Sequence, residues 1–388
     1  MYNTNKYGCF LNEDHLILQE TIKNFAQQVI KPLANKVDKE SYFPIETFKK
    51  LGEIGFLGFG FPEQYGGVET DTISYVIAAE EISKACGSTG LSYVAHMSLG
   101  TTPFYLYGTE KQKMKYLPKL TSGEYLGAWS LTEANAGSDA GGQQTTAVLD
   151  GDSYVLNGTK RFVTNAYYAD SFIIMAVTDK EKGKKGISAF IIDKGTKGLT
   201  VGKMEDKFGM KGSPNCDVYL EDCRIPKENI LGKEGDGFKQ ALETLDGGRI
   251  SIAAIAIGIA QAAFEDSVKY SKEREQFGKP ISSFQSIQNH LANMETEIHA
   301  ARLITYNAAW LKDNNQPHTK ECAMAKLYAS EVSSRVTNLA LQIHGGYGYM
   351  TDFPIERYLR DAKITEIGEG TSEIQRLVIA RNILKEFS

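Results

Sequence analysis

Near its C-terminus the chain reads Arg360-Asp361-Ala362-Lys363-Ile364-Thr365-Glu366-Ile367-Gly368-Glu369-Gly370-Thr371-Ser372-Glu373-Ile374-Gln375-Arg376. One carboxylate, Glu369, stands between two glycines where one helical pattern ends and another begins. Glycine on both sides lets the backbone turn tightly and approach a ligand, because no Cβ intervenes. Thr371 or Ser372 can cap the next helix, leaving free N–H groups and a positive dipole end beside the carboxylate. A base held there can remove a proton from a ligand atom lying against the loop. Local pattern alone favours a plainer reading, a solvated glutamate in a helix–helix turn. The rest of the chain reverses that preference.

Two further segments suit a planar ligand. Leu126 to Asp139 places Trp129, Thr132 and Ser138 at the end of a β-like run, an aromatic wall with hydroxyl and backbone donors for a heterocycle. An ordinary Ser-rich turn has the same composition. Phe162-Val163-Thr164-Asn165 ends another such run, with Phe162 and Thr164 on one strand face. Two more groups suit phosphate or ribose. Arg274, in Glu273-Arg274-Glu275-Gln276-Phe277-Gly278, closes a helical segment, and Gln342-Ile343-His344-Gly345-Gly346 stops another abruptly. Taken singly these read as a surface ion pair and a glycine C-cap, with His344 a packed histidine.

The elements that must carry these residues fall into three textures. Residues 1–122 are helical: Leu16, Ile17, Ile22, Phe25, Ala26, Val29 and Ile30 recur at helical spacing until Pro32, and Thr72–Ala85 and Thr109–Leu120 repeat the pattern. Gly58-Phe59-Gly60 reads as a turn rather than a nucleotide loop, since Pro62 follows and no strand precedes it. Residues 123–232 alternate short β-branched and aromatic runs with turn residues, and Asn157-Gly158 predicts a hairpin there. This is a β domain, closed or sandwiched as a barrel. Residues 233–388 return to long helical segments over 238–274, 283–312 and 319–345, which predict a helical bundle.

Composition bounds the function. With 388 residues the chain needs two or three domains. A net charge of −5 argues against a nucleic-acid groove, so an anionic ligand must be met by local arginines or helix N-termini. Five scattered cysteines without Cys-x-x-Cys predict neither a disulfide framework nor a metal site. The polar stretch Met1–His15 is neither a signal nor a transit peptide in pattern. The apolar run from Ile250 to Ala263 is too short for a bilayer and reads as a buried core helix, so no membrane association is expected.

Together these motifs resemble the acyl-CoA dehydrogenase family, from end to end. The carriers are Leu131-Thr132-Glu133…Ala136-Gly137-Ser138-Asp139, Phe162-Val163-Thr164-Asn165, Asp246-Gly247-Gly248-Arg249, Arg274…Gln276-Phe277-Gly278, Gln342…Gly345-Gly346, and Arg360–Lys363 through Gln375-Arg376. The resemblance implies an α+β multidomain fold: an N-terminal helical domain, a middle β-barrel and a C-terminal four-helix bundle. It implies FAD, with Trp129, Ser130, Leu131, Thr132, Ser138, Phe162, Val163 and Thr164 around the isoalloxazine. Arg274, Gln285, Gln342, Gly345 and Gly346 would hold the pyrophosphate and adenosine across a subunit boundary, and Thr371, Ser372 and Glu373 would complete the flavin site. Ser138, Asp246, Arg249 and Gly370 correspond to substrate-binding positions.

The reaction implied is α,β-dehydrogenation of an acyl-CoA to the trans-2-enoyl-CoA. Glu369 would be the catalytic base and an electron-transferring flavoprotein the acceptor, in a homotetramer built as a dimer of dimers. A cytoplasmic setting in fatty acid β-oxidation follows, the alternative being a mature chain in the mitochondrial matrix. Some relatives carry the base where this chain has Gly248, so Glu369 stands alone. Gly368 and Gly90–His96 resemble the isovaleryl branch, whereas Leu245–Ile250 resembles the short-chain butyryl type. A short straight or short branched acyl group is expected. The alternatives are an acyl-CoA oxidase using O₂ and a non-catalytic flavin-bearing binding protein.

Overall fold

Apolar stripes and alternating runs sort the chain into helices, a sheet and helices again. The computed structural model describes residues 7–387; residues 1–6, where the polar N-terminal stretch begins, and residue 388 lie outside the described residues. Helix α1 (Glu13–Phe25) starts at Asn12, whose side chain accepts from His15 N–H while the His15 ring accepts from Asn12 N–H. The chain does not break at Pro32. A π-helical turn (Ala26–Ile30) and a 3₁₀ turn (Lys31–Leu33) carry it into α2 (Ala34–Lys39). Pro32 falls in the first positions of the 3₁₀ turn, where its missing N–H removes little. There follow α3 (Ile45–Glu53), α4 (Thr72–Ala85), α5 (Gly87–Val94), α6 (Thr102–Tyr107) and α7 (Glu110–Thr121). Thr109 caps α7 in a reciprocal pair with Gln112.

The middle region is one eight-stranded sheet: β1 (Gly127–Ser130), β2 (Thr146–Asp150), β3 (Ser153–Thr164), β4 (Ser171–Val177), β5 (Ile187–Asp193), β6 (Leu199–Met204), β7 (Asn215–Pro226) and β8 (Ile230–Leu231). The strand path runs β6-β7-β3-β2-β4-β5-β8, with β1 parallel to β4, and the pairing stays open between β6 and β8. The two faces of β4 and β5 feed different cores. Phe172, Ile174, Phe190 and Ile192 face the sheet's own interior, while Ile173, Met175, Ala189 and Ile191 face the flanking helices.

Asn157-Gly158 does not make the expected hairpin. β3 runs straight through it, and the hairpin lies earlier, between Asp150 and Ser153. Gly158 instead sits at a register shift against β7, where a Cβ would come within 2.7 Å of Thr145 Cα. A glycine needed for close approach carries the same letters as a glycine needed for a turn.

The last region holds α8 (Gly237–Glu273), a two-stranded ribbon of β9 (Glu275–Gln276) and β10 (Lys279–Pro280), then α9 (Gln285–Asp313), α10 (Thr319–His344), α11 (Ile355–Lys363) and α12 (Ser372–Glu386). The three long segments begin and end within two residues of their sequence-based bounds. Helix α8 is long and apolar enough to cross a membrane, yet 94% of its most apolar window is buried inside the fold. It packs against α4, α9 and α10.

Helices α4, α8 and α9 are tied by a buried ionic group. Arg302 donates from Nε to both Glu80 oxygens at 3.1 Å and from Nη2 to Glu80 Oε1 at 2.6 Å and Gln261 Oε1 at 2.9 Å. Removing one partner strands the other charge away from water. Arg302→Met is expected to destabilise the protein by about 3–5 kcal/mol. Adding Glu80→Gln should recover part of that loss, read as the midpoint of denaturant unfolding.

Candidate active site

Strand β1 is set in place by a buried histidine. His96 Nδ1 accepts from Gly127 N–H at 3.1 Å, and its Nε2–H donates to Leu120 O at 3.0 Å. Burial pushes His96 down to about 4, so the ring is neutral and can serve as donor and acceptor at once. Beyond β1, Thr132 O accepts from Arg161 N–H at 2.8 Å, joining the strand's end to β3. Under this seam lies Lys160, fully buried, which donates to Glu133 Oε1 at 2.7 Å, Gln143 Oε1 at 2.8 Å and Leu131 O at 3.2 Å. Glu133 in turn accepts from the backbone of Gln144 and Thr145.

The seam brings together several of the residues expected around a flavin ring. Trp129 and Leu131 share an apolar cluster with Leu245 of α8. Trp129 Nε1 and Ser130 Oγ are buried with no hydrogen-bond partner among the described residues. A bulge in β3 gives Phe162 a φ of 58° and leaves its ring 59% exposed beside Arg161. Val163 is buried in the sheet's core, and Thr164 is half-buried. Orphaned donors, an exposed aromatic ring and a hydroxyl on one seam fit a planar, acceptor-rich group. Ser138 stands apart, exposed on the loop after Glu133.

Glu369 lies on the turn between α11 and α12. Its own φ is 53° and that of Gly370 is 94°, so the left-handed strain falls on the glutamate as well as on the glycine. Thr371 is the N-cap of α12, its side chain accepting from Ile374 N–H. Gln375 Nε2 donates back to Glu369 O at 3.2 Å and Gly370 O at 2.9 Å, and Lys326 Nζ donates to Gly370 O at 2.7 Å. Gln375 Oε1 and Ser372 Oγ have no partners among the described residues, while Glu373 is exposed.

The turn drives the carboxylate against α8 at Gly248. A Cβ on that glycine would sit 1.9 Å from Glu369 Oε2, an oxygen that is buried and has no hydrogen-bond partner among the described residues. Burial pushes Glu369 up to about 7, against the opposing pull of Lys326 and Arg249. Arg249 is itself buried, paired with Asp246, which also accepts from Thr319 Oγ1 at 2.8 Å. Tyr75, on α4, adds a buried hydroxyl that lies near Ser251 and Ser98 and in the field of Glu369. A carboxylate so placed can take a proton near neutral pH.

The remaining expected residues gather elsewhere. Arg274 lies over the Tyr347 ring, 5.5 Å from its centroid. Gln342, Gly345 and Gly346 are exposed at the same corner, and Gln285 is exposed at the start of α9. Along α10, residues 326 to 342 span about 24 Å. This corner therefore lies about that far along α10 from the contact between Lys326 and Gly370. His344 is packed, its ring stacked on Tyr270 at 4.2 Å.

Family models for acyl-CoA dehydrogenases match three stretches: the N-terminal domain over residues 12–124, the middle domain over 128–223 and the C-terminal domain over 235–384. The chain belongs to the acyl-CoA dehydrogenase family. The short-chain-specific acyl-CoA dehydrogenase of Clostridium acetobutylicum is 50% identical over 375 residues, 97% of this chain and 99% of that one. Butyryl-CoA dehydrogenase from Megasphaera elsdenii superposes with a TM-score of 0.95 at 45% identity, covering 96% of this chain and 99% of that one. An acyl-CoA dehydrogenase complexed with FAD from Bacillus anthracis gives 0.91 at 36% identity, covering 97% and 67%.

Near Glu369 and along the β1–β3 seam lie polar side chains that the sequence did not announce as site residues. Lys326, Tyr75 and Lys160 sit among apolar residues, where the available signal was a polar side chain on a buried helix or strand face, and Gln375, within the C-terminal motif, had no role assigned to it. Among the described residues no cluster could hold a metal ion. Gly248→Ala is expected to displace Glu369 from its seat. Loss of at least about tenfold in turnover follows, since a 1 Å misplacement of a reacting group costs on that scale or more. Flavin absorbance of the purified variant should stay at the level of the unmodified enzyme.

Proposed function

We propose that the enzyme is an FAD-dependent short-chain acyl-CoA dehydrogenase in which Glu369 removes the α-proton of the thioester. The observation that carries this is the buried, unpartnered Glu369 oxygen pressed against Gly248. A carboxylate held out of water and near neutrality is matched to a weakly acidic C–H in a way that an exposed one is not.

FAD, when bound, accepts the hydride equivalent leaving the β-carbon. The protein's own residues do the rest. Glu369 receives the α-proton on its free oxygen, and the electrons of that C–H bond form the new double bond as the hydride departs, giving the trans-2-enoyl thioester. Glu369 N–H meets no acceptor among the described residues and is free to donate to the thioester oxygen, which acidifies the α-carbon. Trp129, Ser130, Leu131, Thr132, Phe162, Val163 and Thr164 would border the flavin ring. Thr371, Ser372 and Glu373 at the α12 N-terminus would complete that site. Ser138, Asp246, Arg249 and Gly370 would meet the acyl-CoA.

The corner formed by Arg274, Gln285, Gln342, Gly345 and Gly346 supports a cofactor shared between subunits. Gly345 and Gly346 face open space, and Phe277, on the ribbon after Arg274, is 93% exposed. A homotetramer that passes electrons to an electron-transferring flavoprotein fits this reading. The Clostridium relative supports a cytoplasmic enzyme of short-chain acyl metabolism.

Anaerobic mixing of the holoenzyme with butyryl-, isovaleryl-, isobutyryl- and octanoyl-CoA should bleach the flavin fastest with a short chain. Glu369→Gln should slow bleaching at least about a hundredfold. Equal rates in variant and parent would remove Glu369 as the base. The rate should rise with pH through about 7, since only the ionised base can take the proton.

Stability should run the other way. The folded-state pKa of Glu369 is raised from 4.5 to about 7, so between those values the native state holds a proton that the unfolded chain has released. Stability then falls as pH rises across that window. Glu369→Gln should accordingly melt above the parent at pH 8, with the gap closing below about pH 4.5.

A further inference from the structure

Lys326 is the least expected residue near the base. It lies on the buried stripe of α10 with Cys322, Ala323, Ala325, Ala329 and Ser330, and its side chain is wholly shielded from water. An ammonium there is costly unless the surroundings compensate it. The compensation is sparse. Its Nζ makes one hydrogen bond, to Gly370 O at 2.7 Å, and no carboxylate oxygen lies within ion-pair distance among the described residues. Burial lowers the amine to about 8, and the strongest charge opposing that fall is Glu369.

The other charged and titratable groups facing this point are accounted for. From α8 come Arg249 and Asp246, paired with each other. Glu366, in the segment before the turn, is held by Lys363 and Ser334. Glu373 of α12 is exposed. Tyr75 of α4 is neutral, because burial raises its hydroxyl far above the usual range. From α9, Lys312 is the nearest side chain to Gly247, and burial lowers it. Of the cations in this group, Lys326 alone also bonds the backbone of the turn that carries the base.

We propose that Lys326 is a positioning residue for the base: it clamps the Gly370 carbonyl, so fixing the left-handed turn that seats Glu369 against Gly248, and its charge favours the ionised carboxylate. This rests on the reading of Glu369 as the base. A lysine that merely filled the core would serve packing alone. The clamp and the charge are separable, because glutamine keeps an N–H donor without the charge and methionine keeps neither.

The experiment uses the FAD-loaded enzyme with Lys326→Gln, Lys326→Met and, in parallel, Glu369→Gln. Two readouts are taken: hydrogen–deuterium exchange of the amides at 369–372, and the pH profile of flavin bleaching by butyryl-CoA. Both lysine variants should move the kinetic pKa upward by about one unit, the direction in which losing a neighbouring cation moves a carboxylate. Lys326→Met should also speed amide exchange and lower the plateau rate about tenfold, with Lys326→Gln lowering it less than about threefold. KM for butyryl-CoA should change by less than about threefold in either variant.

Wild-type pH profiles and exchange in both variants, or a loss confined to KM, would overturn the proposal. Bleaching at the parent rate by Glu369→Gln would instead show that the base lies elsewhere. The two failures are therefore distinguishable. Should Lys326→Met fail to fold, Lys326→Gln still decides the charge through its pH profile.

Discussion

The arrangement turns on a carboxylate oxygen buried without a partner. Glu369 Oε2 has no hydrogen-bond partner among the described residues, its backbone is left-handed, and it lies where a side chain on Gly248 of α8 would be. Each of these conditions costs stability, and proteins tolerate such a combination where the surroundings over-determine it. Here the surroundings are Lys326 and Gln375 holding the turn's carbonyls, Thr371 starting α12, and the rigid α8–α10 pair behind. Without that frame the carboxylate would swing to water and behave as an ordinary acid.

The remaining fold supplies rails and anchors for this frame. Helix α8 runs 37 residues and is clasped by α4, α9 and α10, so Gly248 and Arg249 are fixed relative to both helical regions. The sheet reaches the same place by a different device. His96 pins the start of β1, and Lys160 with Glu133 pins its end, so the orphaned polar atoms of Trp129 and Ser130 lie on a seam built from both sides. Neutral His96 and charged Lys160 do similar jobs by opposite means. The histidine is held neutral by burial, while the lysine is lowered only to about 8 and keeps a carboxylate beside it.

Much of this was legible in the sequence where one cause dominates. The α8, α9 and α10 bounds followed from apolar stripes, and the Gly368–Glu369–Gly370 turn from its glycines and the cap that follows. Legibility failed where one residue type serves two physical ends. Gly158 reads as a turn residue but answers to the approach of Thr145, and Pro32 reads as a breaker but falls where its missing N–H is harmless. Lys326 and Lys160 are invisible for a related reason. A lysine inside an apolar stripe looks like a surface position until the far partner is seen, and those partners lie 44 and 27 positions away.

Gly248 and Glu369 lie on different elements, yet they contend for a single volume. An ideal Cβ on one falls inside the van der Waals envelope of the other. The space between α8 and the terminal turn is therefore sized for one carboxylate and no more. A side chain at 248 and a glutamate at 369 exclude each other, whereas glycine at both would leave a hollow. A substitution at either position therefore changes the fit of the other, although one lies inside a long helix and the other on a distant turn.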